Sequence, residues 1–523
     1  GEEVIVQEKV LPSDELGEKI REAEACFDRR RKNLGLVLGP ALGILVCFLP
    51  LGGLPAEAHR LLAIIAFIAT WWITEPVPIP VSALLGPVLA ILFGVISPAK
   101  AFAPFANPLI FLFMGSFMLA TAMMSHGLDK RFAYAILSMK WVGSSPTRIL
   151  LALGLVTTLC SGWVSNTATA AMMMPIAMGL LLAIKDMHAA AGKGDLDLHQ
   201  YKFATGLMLM AGYASSVGGV LTPVGTPPNL IMIGLLEQLG AVKVSFFEWM
   251  IWGSVAMVAY FVIMFVVIKK MFPADVDYIE GAEEMIREQR SKLGPWRAGE
   301  INSVIAFAVA VTLWVLPGFM AMALGAGHPL LKTYNTYLSE AVVAMLAGLL
   351  LFLLPTNWSK REFTLSWPDA VKGIDWGTLV LFGGGLSLGS MMYVTGLSKW
   401  IGVLIVDATG AHSQLALVTT FAVFSLLMSE LTSHTAATNM VGPLGITVAM
   451  SAGLSPVPVA VAIALASSLG FMLPVSTPPN AIVYASGYIP ITKMIKAGFI
   501  LDVIGIFFIT IPIVLYLVTW VGY

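Results

Sequence analysis

Residues 161–171 read SGWVSNTATAA, and residues 429–439 read SELTSHTAATN. In each, a serine (Ser161, Ser429) stands four positions before a Ser-X-Thr triplet, Ser165-Asn166-Thr167 in one and Ser433-His434-Thr435 in the other. Small residues follow, then a proline at the same offset, Pro175 and Pro443. Both clusters lie in strongly apolar sequence. Hydrocarbon tolerates polar, irregular backbone only where protein encloses it or a cavity adjoins it. A polar cluster written twice into such surroundings therefore marks an enclosed site.

The surroundings read as membrane. Of 523 residues, 58% are hydrophobic and only 12% charged, where a soluble domain carries about 25% charged. Apolar runs near or above 18 residues recur along the chain, the signature of an all-α polytopic membrane protein. Eleven spans are predicted, at 35–53, 57–74, 79–97, 107–127, 205–236, 250–270, 300–320, 338–355, 375–395, 457–487 and 497–521. Segments 147–183 and 413–452, which hold the two clusters, are too long for one span and too polar in the middle. They are predicted to be re-entrant hairpins.

Charge placement orients this arrangement. With the N-terminus in the cytoplasm, the outer basic residues are Arg60, Lys100, Lys243, Lys332 and Lys399, and the other 25 of the 30 lysines and arginines fall inside, as the positive-inside rule requires. The C-terminus is then outside. Lys140, Arg148 and Lys185 flank the first hairpin, so it enters from the cytoplasm; the second enters from outside. Residues 1–34 are expected to be a solvated cytoplasmic arm rather than a secretory leader, with 13–31 able to form a surface helix. Residues 272–298 read as a solvated cytoplasmic linker. No basic domain points to nucleic acid, and the three cysteines lack metal-ligand spacing.

The halves of the chain resemble each other further. GSFMLATAMMSHGLDK (115–130) aligns with GGLSLGSMMYVTGLSK (384–399), and GTPPNLIM (225–232) with STPPNAIV (476–483). An odd number of crossings separates equivalent spans, so the repeats are inverted. Inverted repeats with a binding site at the midplane are a common architecture of secondary transporters. TPVGTPPN (222–229) and LPVSTPPN (473–480) must each break a helix, because paired prolines lack N–H groups. Broken helices at corresponding places in two halves free carbonyls for a cation and N–H groups for an anion. Lone Ser/Thr/Asn clusters serve as helix glue; two clusters, each paired with a TPPN break, point to a site. No repeated carbonyl filter or ring of charge suggests a channel. An intramembrane hydrolase is the enzyme alternative, since Ser433, His434 and Glu430 have suitable chemistry. Adjacent Ser and His cannot readily form a nucleophile–base bond, and no HExxH or oxyanion motif occurs.

At these residues the chain resembles the divalent anion/sodium symporter family, which carries dicarboxylates, citrate or sulfate. The resemblance runs over nearly the whole chain from about residue 35. It implies a homodimer in the plasma membrane. Each protomer would have scaffold helices (35–140, 299–400) and a transport domain (141–271, 401–523) that moves like an elevator. It implies sodium at two sites. The first would be built from Ser161, Ser165, Asn166 and carbonyls near Gly218 and Gly219. The second would use Ser429, the 434 position and carbonyls near Ser476. Substrate contacts would come from Asn166, Thr167, His434, Thr435, Thr477 and Pro478. Two clusters about a pseudo-twofold site suit an anion charged at both ends, so C4 dicarboxylates are expected, with sulfate as an alternative.

His434 departs from the pattern, which has Asn there. Imidazole is a poor ligand for a hard cation, so the second sodium site is in question. Either neutral His434 donates to the anion as Asn would, or charged His434 replaces the sodium, giving proton assistance or sodium-independent exchange. Glu430 lies four residues earlier, and one continuous helix would put the two on one face.

Overall fold

The protein is described here by a computed structural model covering residues 15–240, 242–410 and 412–523. The part of the expected arm at 1–14 lies outside the described residues. From Glu15 onward there is no separate arm: one helix runs from Glu15 to Phe48, joining the expected surface helix to the first span. Strong helix formers fill its first half, and Asp28 pairs with Arg31 at 2.5 Å and Lys32 at 2.8 Å, one turn away. Among the described residues the regular structure is helical apart from a two-stranded hairpin, Pro355–Asn357 with Glu362–Phe363.

Among the described residues, nine helices are long and apolar enough to cross a membrane by length and composition. Seven fall on predicted spans. Two, Asn166–Ala190 and Gln414–Leu431, are arms of the predicted hairpins. The four other spans are met by short helices, Ile79–Leu92 and Glu340–Leu350, and by two broken ones. Large apolar side chains such as Phe48, Leu92, Phe508 and Trp520 stand exposed, as lipid-facing residues do.

Hairpin 1 consists of Pro146–Ser161 and Asn166–Ala190; hairpin 2 consists of Gln414–Leu431 and His434–Ser451. Broken helix 1 is Lys202–Gly218 followed by Pro227–Gly240, and broken helix 2 is Val457–Ser467 followed by Pro478–Tyr484. The packing repeats with the sequence. The first arm of each hairpin lies on the first half of its own broken helix, and the second half of each broken helix lies on the other repeat's hairpin. The two repeats therefore interlock. Outside them, Ile79–Leu92 packs on Trp376–Val394, and Glu340–Leu350 packs on Pro108–Ser125. Glycines allow the close approaches: a Cβ at Gly384 would stand 2.5 Å from the Ala83 carbonyl, and one at Gly115 2.4 Å from that of Ala344.

Residues 272–298 are not a free linker. They hold the helix Ala282–Lys292, with Ile279 and Ile286 buried. The Ile279 amide donates to the Ser144 carbonyl at 2.8 Å. Arg131 reaches the carbonyls of Leu293, Gly294 and Pro295 and pairs with Glu300 at 3.0 Å. Charge patterning alone could not show this docking, since the helix's outer face is polar.

Candidate functional site

Each break begins where a helix loses its i→i−4 bonds and ends at a proline, whose missing N–H is no loss in a first turn. The carbonyls freed between must still be satisfied, and one asparagine does this in each half. Asn229 Nδ2 donates to the carbonyls of Gly219 (3.0 Å) and Thr222 (2.9 Å). Asn480 Nδ2 donates to those of Gly470 (2.9 Å) and Leu473 (3.0 Å). The acceptors lie ten and seven residues before the asparagine in both halves.

Against break 1 stands the tip of hairpin 1. The Ser161 hydroxyl is 2.5 Å from both Asn166 Oδ1 and the Ser215 carbonyl. It has one hydrogen for two acceptors, so three oxygens converge and only one of the two pairs can be bonded at a time. Gly219 lies under Asn166, where a Cβ would be 2.7 Å from Oδ1. Gly218 is pressed on hairpin 1, its would-be Cβ 2.1 Å from the Thr158 carbonyl. Ser161, Gly218 and Gly219 are buried, whereas Ser165 and Thr167 are exposed and Asn166 is half-buried. Ser165 starts the helix without capping it.

The second half repeats this frame with different chemistry. The Ser429 hydroxyl donates to the Ser467 carbonyl at 2.6 Å and lies 3.4 Å from that of Leu469. Ser476 stands near them as well: a Cβ at Gly470 would be 3.6 Å from Ser476 Cβ. Gly470, at φ +107°, lies against both Ser429 and His434: a Cβ there would be 3.3 Å from the Ser429 hydroxyl and 3.1 Å from His434 Nε2. His434 thus occupies the place that Asn166 holds over Gly219. It is buried, and Nε2 has no hydrogen-bond partner. Thr435 is half-buried, Thr477 buried and Pro478 exposed. Thr477 precedes its helix without capping it.

Glu430 does not share a helical face with His434. The helix ends at Leu431, Thr432 is extended, and a new helix starts at His434. The Glu430 carboxylate instead accepts from the Met472 amide (3.2 Å) and the Ser476 hydroxyl (2.6 Å). Beside it is Asp502, whose Oδ1 accepts from the amides of Gly470 (3.2 Å) and Phe471 (3.3 Å). Asp502 was missed in the sequence reading, though a lone acid inside an apolar helix is a recognised signal of a site. Asn229 and Asn480 were quoted with their motifs but given no role.

The tip of hairpin 2 also touches the first two helices. Thr432 donates to the Trp72 carbonyl at 3.1 Å and lies 3.4 Å from Glu75 Oε1, and Arg31 donates to the Leu431 carbonyl at 3.3 Å. Glu75 sits in the turn between Ala56–Thr74 and Ile79–Leu92, with left-handed backbone at φ 50°. Burial pushes its carboxyl above the usual range, opposed by Arg31 and by the Thr432 hydroxyl.

Two mirrored hairpins meeting two mirrored helix breaks define a class: polytopic transporters built on an inverted repeat. Similarity to known proteins places the chain within it. It belongs to the Sodium:sulfate symporter transmembrane region family, matched over residues 30–522. It is 34% identical over 486 residues to a sodium-dependent dicarboxylate transporter, SdcS, of Staphylococcus saprophyticus, covering 92% of this chain and 90% of that one. The Staphylococcus aureus protein of the same name is 34% identical over 477 residues, covering 90% and 88%. The fold is also shared with two solved transporters. One is YdaH of Alcanivorax borkumensis, at TM-score 0.54 and 15% identity over 95% of this chain and 98% of that one. The other is MtrF of Neisseria gonorrhoeae, described as one of a class of antimetabolite efflux pumps, at TM-score 0.54 and 14% identity over 88% and 95%.

Proposed function

We propose that this protein is a sodium-coupled secondary carrier of dicarboxylates, working by elevator motion of the hairpins and broken helices against the remaining helices. The observation that carries the reading is the oxygen cluster of Ser161, Asn166 and Ser215 at the first break. Neutral hydroxyl, amide and carbonyl oxygens converging at the last turn of a helix that then unwinds fit a hard monovalent cation. Ser161, Asn166 and the Ser215 carbonyl would hold it, with Ser165 and the Gly218–Gly219 backbone adjoining. Bound sodium would supply positive charge next to the anion. Beside it, the start of the helix Asn166–Ala190 offers unpaired N–H groups and a positive helix end. Thr167, Thr435 and Thr477 offer hydroxyls without partners among the described residues. The dicarboxylate substrate follows from the SdcS relatives and from the twofold layout of the site.

In this reading residues 141–271 and 401–523 move, and 35–140 and 299–400 stay with a homodimer scaffold. The plasma membrane would hold the N-terminus inside and the C-terminus outside. A second reading, sodium-independent exchange or proton assistance at the second half, is favoured by one feature: unpartnered His434 Nε2 stands where the first half has an amide oxygen. Purified protein in liposomes tests both. Labelled succinate should accumulate under an inward sodium gradient, and choline in place of sodium should cut net uptake more than tenfold, a loss of over about 1.4 kcal/mol of driving interaction. Uptake unchanged in choline but stimulated by preloaded dicarboxylate would replace symport with exchange.

A further inference from the structure

The two helix breaks are held from outside by different chemistry. Break 1 is braced by neutral groups: the Trp249 indole donates to the Val220 carbonyl at 3.0 Å, and the Thr222 hydroxyl to the Gly162 carbonyl at 2.6 Å. Break 2 is braced by two buried acids. Glu430 takes the Met472 amide and the Ser476 hydroxyl, and Asp502 takes the amides of Gly470 and Phe471. Three successive amides of the unwound segment thus point at carboxylate oxygens. Asp502 comes from Ile491–Ile504, on the repeat's last helix. It is 2% exposed, and its carboxyl faces that of Glu430.

We propose that Asp502 is a positioning residue for the second half of the site. It touches no ligand. Its carboxylate fixes the orientation of the Gly470 and Phe471 peptide planes. Those planes decide where Gly470, in its left-handed conformation, sits against His434 and Ser429. They also decide how the Ser467 and Leu469 carbonyls approach the Ser429 hydroxyl. A backbone segment without helical hydrogen bonds has little else to hold its register inside a membrane. One carboxyl oxygen that accepts two successive amides fixes both peptide planes at once. The first half, whose break is braced by an indole and a hydroxyl, has no such dependence.

This proposal rests on the sodium-carrier reading, and its test separates the two. Asp502→Ala removes both acceptors, and Asp502→Asn keeps one oxygen in the place of Oδ1. Hydrogen exchange, read by mass spectrometry on peptides covering 468–477, reports the clamp without transport. Exchange should be faster in Asp502→Ala and near parental in Asp502→Asn. Succinate uptake in liposomes over a range of sodium concentrations reports its consequence. Asp502→Ala should raise the sodium half-saturation about tenfold with a smaller change in maximal rate, and Asp502→Asn should stay within about twofold of the parent. Parental exchange in Asp502→Ala overturns the proposal. So does loosened exchange with unaltered sodium dependence, and so does Asp502→Asn matching Asp502→Ala in both readouts. A parent lacking sodium dependence would instead sink the carrier reading. If Asp502→Ala does not fold, Asp502→Ser, with one short acceptor, replaces it and should show the same pattern in smaller measure.

Discussion

Removing the asparagine that closes a break should cost the same in either half. Asn229 and Asn480 are both fully buried, and each spans two carbonyls with Nδ2 at 2.9–3.0 Å. Alanine in place of either strands two buried acceptors. Each stranded group costs about 1–3 kcal/mol, so each variant loses roughly 2–6 kcal/mol of local stability. Aspartate has the same shape but no N–H, and it would set an oxygen against the carbonyls, so Asn→Asp should be at least as damaging. Purified variants can be compared by thermal unfolding in one detergent, followed through tryptophan fluorescence. Asn229→Ala and Asn480→Ala should both lower the midpoint and lie close together, since the bond lengths match. Their sodium-dependent uptake should fall even below the melting range, because the break itself becomes irregular. If Asn480→Ala melts with the parent while Asn229→Ala does not, the mirrored bonds do not carry the stability assigned to them.

Other expectations concern the tips and their surroundings. Asn166→Ala and Thr167→Ala should abolish uptake while leaving folded protein; each group gripping a charged ligand is worth roughly 1.5–3 kcal/mol, and normal uptake in liposomes by both would reduce the motif to helix glue. Thr432→Val removes the bonds from hairpin 2 to Trp72 and Glu75 and should free the tip, seen as faster reaction of a maleimide with a cysteine placed at Leu431. Glu75 has its carboxyl raised by burial, so its contribution to stability is full below about pH 4.5 and is lost as pH rises through its higher folded value; the melting midpoint of the parent should fall over that rise, and Glu75→Gln should flatten the fall. His434→Asn rebuilds an amide oxygen over Gly470 and should steepen the sodium dependence of uptake; parental profiles in both sodium and pH would leave His434 a neutral donor.

The hairpins and breaks were legible because their causes are local. Paired prolines in TPPN must interrupt a helix, and a Ser-X-Thr cluster in apolar sequence must be enclosed. The spacing of those signals was enough to place both repeats. What escaped depends on distant partners. Nothing in the sequence around Glu430 tells that Ser476 and Met472 will take its carboxylate, and the four-residue spacing to His434 suggested a helix that the tip interrupts at Thr432. The carbonyls of Ser467 and Leu469, which accept from Ser429, lie before the motif begins and carry no signal of their own. Residues 272–298 looked solvated because most of the segment is polar; its docking rests on Ile279, Ile286 and the reach of Arg131 from another helix. Asp502 carried a signal of its own, one acid in an apolar helix, which only a rule about lone intramembrane charge would have picked out.

The pseudo-twofold holds for geometry and fails for charge. Asn229 and Asn480, Gly219 and Gly470, Ser161 and Ser429 perform matching backbone tasks, and all are neutral. These are the groups an unwound helix needs whatever it binds. Among the described residues of the tips and braces, the ionisable ones, Glu430, Asp502 and His434, belong to the second half, where the first has Gly162, a tryptophan brace and Asn166. A dianion bound between the tips would meet, at its first end, neutral side chains and the start of the helix Asn166–Ala190. At its second end stand two carboxyl groups and an imidazole, held against the break by its own amides and Gly470. The halves therefore present different side chains at the two tips, Asn166 over Gly219 and His434 over Gly470, although their backbones are alike.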